Sequence, residues 1–162
     1  MSNQQEQFSG KLRLRACGLL IEEGKLLVVK LLSPITDRVI WMPPGGGVHF
    51  EEGLEEALKR EFLEEVNVEV RVGRLLHVQE LIKEGFHAIE CYFKVYRRSG
   101  KPELGTDPEL AEDEQLLQKL ELLPIAALSE YPFVPKELIP KLQNQEGPIS
   151  SNIFGSQQLT SQ

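Results

Sequence analysis

At 162 residues and 41% hydrophobic content, the chain is long enough to bury one core and short for two. Its 18 Lys and Arg against 25 Asp and Glu give a net charge of −7, which excludes the clustered positive surface that a nucleic-acid backbone requires. No stretch approaches the roughly 18 uninterrupted apolar residues of a membrane span, and MSNQQEQFSG has neither a basic nor an apolar leader region, so a cytoplasmic protein with no nucleic-acid or membrane partner is expected.

Residues 1–10 are polar and Gln-rich, and are expected to form a disordered extension before a single domain over 11–142. From Leu12 the pattern alternates and then runs apolar through Ala16-Cys17-Gly18-Leu19-Leu20-Ile21. Glu23-Gly24 separates this run from Leu26 to Leu32, which reads as a β-hairpin with a buried face on both strands. Val39 to Met42 is a short strand stopped by Pro43-Pro44, and three glycines, Gly45 to Gly47, follow at once. Glycines there let the backbone approach a ligand closely.

A helix is expected from about Leu54 to Val66. At 100° per residue, Glu61 and Glu65 point within roughly 40° of each other, and Glu64 lies about 60° from Glu61 on the other side. Three carboxylates thus share one side of one helix. Like charges at this spacing repel by roughly 0.2 to 0.5 kcal/mol per pair, so something positive belongs beside them. The arc continues an apolar stripe begun by Leu54 and Leu58, which turns the carboxylates toward a cleft. Hard oxygen donors converging there suit Mg²⁺ or Mn²⁺.

Two long alternating segments, Val68 to Ile82 and Phe86 to Arg97, read as a second antiparallel pair in a mixed sheet. Residues 99–115 form a polar loop, long enough to be functional. Leu116 to Leu123 supplies a last strand, and short helices are expected at Pro124 to Leu128 and Pro135 to Leu142. From Gln143 the chain turns rich in Gln, Asn, Ser and Gly, and a mobile tail over 143–162 is expected. Cys17 and Cys91 fit no metal-ligand or redox spacing and read as small apolar strand residues.

The run Gly46-x5-Glu52-x7-Arg60-Glu61-Phe62-x-Glu64-Glu65-x-Asn67-Val68 resembles the Nudix box, G-x5-E-x7-R-E-U-x-E-E-x-G-U with U apolar. Eight of its nine defined positions match over 23 residues. Asn67 stands where the family has glycine, and asparagine best tolerates a left-handed backbone after glycine. His49 stands where glutamate is usual, and Glu51 where glycine is frequent.

The resemblance implies an α/β/α sandwich with a mixed central sheet and a loop-helix-loop catalytic motif. It also implies hydrolysis of a pyrophosphate bond in a nucleoside diphosphate derivative, such as ADP-ribose, a nucleotide sugar or a modified dNTP, with Mg²⁺ or Mn²⁺. Carried over by position, Glu64 and Glu65 are metal ligands, Glu61 is a ligand or orients the water, and the carbonyl of Gly45 or Gly46 completes the shell. Arg60 orients the glutamates, and Glu52 supports it.

A base or extra ligand outside the box has candidates in Glu112, Glu109 and Glu114. Glu90 interrupts an apolar strand, His49 adjoins the glycines and Trp41 opens onto them, which makes these three the candidate substrate contacts. Homodimerisation is left open. The alternative is a nucleotide-binding or regulatory module without turnover; the acidic charge argues against a cap hydrolase.

Overall fold

The computed structural model describes residues 9–33, 35–105, 116–144 and 154–158, the last five by their backbone path alone. Strand alternation generates the architecture. In β1 (Leu12–Glu22), Ala16 and Leu20 point to one side, and Cys17 and Leu19 to the other. In β2 (Lys25–Leu32), Leu27 and Val29 join the first set, and Leu26 and Val28 the second. Each face needs a cover, because both are apolar.

Helix α1 (Leu54–Val66) covers the first face with Ala57, Leu58, Phe62 and Val66. The second face is closed by a 3₁₀ helix, Ile125–Glu130, and by α2 (Leu138–Gln143), through Leu128, Leu138 and Leu142. This is an α/β architecture with a mixed sheet between helical layers.

The remaining strands are β3 (Val39–Met42), β4 (Gly45–Gly47), β5 (Glu69–Lys83), β6 (Phe86–Ser99), β7 (Leu117–Pro124) and β8 (Phe154–Gln158). Among the described residues the order is β3-β2-β1-β6-β5-β8, with β4 on β1 and β7 on β2. Glu23 and Gly24 both take left-handed conformations, φ 49° and 73°, as a tight hairpin turn demands. The hairpin is brief, since β1 pairs with β2 only at Ile21↔Leu26 and Glu22↔Lys25. Upstream, β1 lies between β4, antiparallel through Arg15↔Gly47 to Cys17↔Gly45, and β6, parallel from Leu12↔His87 to Leu20↔Val95. That insertion puts the glycines beside the middle of the sheet.

Within the polar tail, Phe154–Gln158 pair in parallel with Val78 to Ile82 of β5. The open edge of a long strand offers unpaired backbone groups, and polar sequence is no bar to filling them. Gly10, in the expected N-terminal extension, donates its N–H to Gly85 O at 3.1 Å.

Candidate active site

Helix α1 starts after Gly53 and ends at Asn67, whose φ of 58° is left-handed. The chain beyond the second long strand returns to satisfy the helix end: Glu103 N–H donates to Val66 O at 3.0 Å, Gly105 N–H to Glu65 O at 2.6 Å, and Asn67 Nδ2 to Lys101 O at 3.3 Å. Gly105 lies so close that an added Cβ would run into the Glu64 carbonyl. The loop therefore fixes the helical turn carrying Glu64 and Glu65.

Arg60 is the positive group that the carboxylates require. Its Nε and Nη2 donate to the two oxygens of Glu52, each at 2.8 Å, and Nη2 also donates to Gly47 O at 2.9 Å. Its Nη1 serves Glu61 at 2.8 Å and Glu64 at 3.4 Å. One guanidinium thus ties the glycine strand, the loop before α1 and two carboxylates of the helix into one unit. The Glu52 hydrogen bonds hold Arg60 in its charged form, and burial works against them. Arg60 in turn brings the Glu52 carboxyl down to about 2.

The glycines seat the other two contacts. Gly45 N–H donates to Glu65 Oε2 at 3.1 Å. A Cβ on Gly46 would collide with the Glu61 carboxylate, so the bare Cα is what lets that carboxylate lie against the strand. Burial pushes the Glu61 carboxyl up, and Arg60 opposes it.

Among the described residues no three His, Cys, Asp or Glu side chains gather around one cation-sized point. Glu61 and Glu64 turn to Arg60, and Glu65 to the Gly45 N–H. The donor chemistry nevertheless fits a hard divalent ion: carboxylate oxygens on α1 and carbonyls on the glycine strand, brought together because the bare Cα of Gly46 admits the Glu61 carboxylate.

The remaining candidates separate. Trp41 is 7% exposed on the face away from α1, edge-on to Tyr131 at 6.1 Å. His49 has its side chain half exposed, and its backbone N–H donates to Glu52 Oε1 at 3.2 Å. Glu90, a candidate substrate contact, is 6% exposed and paired with Arg15. Glu109, Glu112 and Glu114 lie outside the described residues.

Arg15 escaped the sequence reading. Its signal was phase: it falls on the same side of β1 as Cys17 and Leu19, where a charge needs a buried partner. Cys17 and Cys91 are free and buried, as apolar strand residues would be.

The family model described as NUDIX domain matches residues 11–142. No curated protein matches the chain. Among solved structures, a MutT protein from Methanosarcina mazei Go1 superimposes with TM-score 0.68 at 15% identity, covering 85% of this chain and 96% of that one. A MutT NUDIX hydrolase from Burkholderia pseudomallei gives 0.60 at 24% identity, covering 72% and 85%. An ADP-ribose pyrophosphatase from Streptococcus suis gives 0.59 at 14% identity, covering 90% and 98%.

Proposed function

This chain belongs to the Nudix family of pyrophosphohydrolases, and from that premise we propose that it hydrolyses the pyrophosphate bond of a nucleoside diphosphate derivative with the help of Mg²⁺ or Mn²⁺. ADP-ribose, a nucleotide sugar and a modified dNTP are the substrate candidates. The observation that carries the reading is the Arg60 node, which holds Glu52, Glu61, Glu64 and the Gly47 carbonyl in one arrangement against the glycine strand.

The residues that would hold the ion are Glu61, Glu64 and Glu65, with the carbonyl of Gly45 or Gly46. Bound there, the ion would neutralise diphosphate oxygens and make a coordinated water acidic enough to attack phosphorus. Arg60 holds Glu61 and Glu64 through one nitrogen, so little reorganisation is needed when charge develops. Glu61, lying against Gly46, is placed either to join the ligand set or to orient the attacking water. The Gly45 N–H fixes Glu65 from the strand side.

The deciding assay is phosphate release from a panel of NTPs and nucleoside diphosphate derivatives with Mg²⁺, Mn²⁺ or EDTA, coupled to a phosphatase that reports newly exposed phosphate. Release from one substrate class, abolished by EDTA, is expected. Glu64→Gln and Glu65→Gln should each lower kcat by at least about 10² while the thermal midpoint stays near wild type. Silence across the panel, with nucleotides still raising the thermal midpoint, would favour a binding module without turnover.

A further inference from the structure

The far side of the glycine strand carries an inference that rests on the cation-site reading above. Arg15 sits in β1 on the face away from α1, and its register partner in β6 is Glu90. Their side chains form an ion pair in which Glu90 is buried and the Arg15 side chain keeps 18% of its surface exposed. Arg15 Nη2 also donates to the Gly45 carbonyl at 3.4 Å, and the second Glu90 oxygen accepts from the Tyr92 hydroxyl at 3.4 Å.

A buried ion pair by itself stabilises little, because two apolar residues of similar size do as well or better. This pair is placed where it can do something else. Gly45 is held on both sides, its N–H by Glu65 and its carbonyl by Arg15. The Gly45–Gly46 peptide that Arg15 grips is the one that brings Gly46 against the Glu61 carboxylate.

We propose that Arg15, oriented by Glu90, is a positioning residue for the divalent-cation site, fixing the Gly45–Gly46 peptide from the face of the sheet opposite α1. Glu90 balances its charge and aims its fork; neither residue touches the reacting atoms. Groups of this kind, one step behind the ligands, typically set metal affinity by 10- to 100-fold.

The test compares wild type, Arg15→Lys, and the paired replacement Arg15→Met with Glu90→Leu, which leaves no orphaned charge. Mn²⁺ binding is measured without substrate by electron paramagnetic resonance, and kcat and KM are then measured separately. Arg15→Lys keeps the charge but not the fork, and should weaken Mn²⁺ roughly tenfold and lower kcat with KM little changed. The paired variant should fold with an unchanged or higher thermal midpoint and still show the Mn²⁺ defect, which a purely structural pair would not produce.

Wild-type Mn²⁺ affinity and kcat in the paired variant would overturn the inference and leave the hydrolase reading standing. A wild-type chain that binds no Mn²⁺ and hydrolyses nothing would remove both.

Discussion

Glu52 shows how one side chain sets the state of its neighbours. Both its oxygens are taken by Arg60, with a further hydrogen bond from the His49 N–H, and its carboxyl is held at about 2 against an ordinary 4.5. A depressed carboxyl contributes stability that is complete above the unfolded value and is lost as pH falls toward the folded one. Glu52→Gln should therefore cost about 2 kcal/mol near neutral pH, the scale of hydrogen bonds to charged groups. The gap from wild type should close between about pH 4.5 and pH 2. Urea unfolding at several pH values measures this; a gap that persists unchanged to pH 2 would show that the ionised carboxyl is not its source.

At the scale of elements, α1 is seated on the sheet by one aromatic ring. Phe62 is fully buried, and the position below it is Gly18, where an added Cβ would lie 2.7 Å from the ring Cζ. The missing methyl in β1 is thus the socket for the helix. Phe62→Ala should cost about 4 kcal/mol by opening a cavity. Gly18→Ala should cost about 2 kcal/mol by overpacking. Combining Gly18→Ala with Phe62→Leu should recover part of the loss, because the two sites share one volume. Additive effects in chemical unfolding would mean that they do not meet. The socket was invisible in the sequence, where Gly18 was one apolar-run residue among six.

Across the whole molecule, the second core is tied to the sheet by a polar chain. The Lys141 ammonium of α2 donates to His77 Nδ1 at 2.8 Å, which leaves the Nε2 hydrogen for Gln79 Oε1 at 2.9 Å, and Gln79 passes a bond to Glu80 O at 3.2 Å. Burial keeps the His77 pKa low, the Gln79 bond opposes it, and Lys141 adds repulsion; Glu137 and Glu90 act in the opposite sense. Tyr92 covers the ring at 6.0 Å between centroids. A depressed histidine leaves stability intact above its unfolded value of about 6.5 and erodes it as pH falls toward the folded value. Wild type should lose stability across that window, and His77→Gln, which cannot take up the charge, should show a flatter profile. Equal slopes in thermal unfolding would place the acid sensitivity elsewhere.

What the sequence determined by itself is what local periodicity encodes. The limits of α1 follow from residues three and four apart, and strand phase from residues two apart, so both are legible without the fold. The box spacing carried the family, and the left-handed end at Asn67 follows from its side-chain chemistry. Tertiary structure decided which strands lie together. Arg15 and Glu90 are 75 residues apart, and only the parallel register of β1 with β6 makes them neighbours. The same register pairs Glu90, a candidate contact by sequence, with Arg15, and the insertion of β1 between β4 and β6 shortened the expected hairpin to two registers. Long-range pairing is chosen by the sum of many contacts across both faces, so no short stretch of sequence contains it.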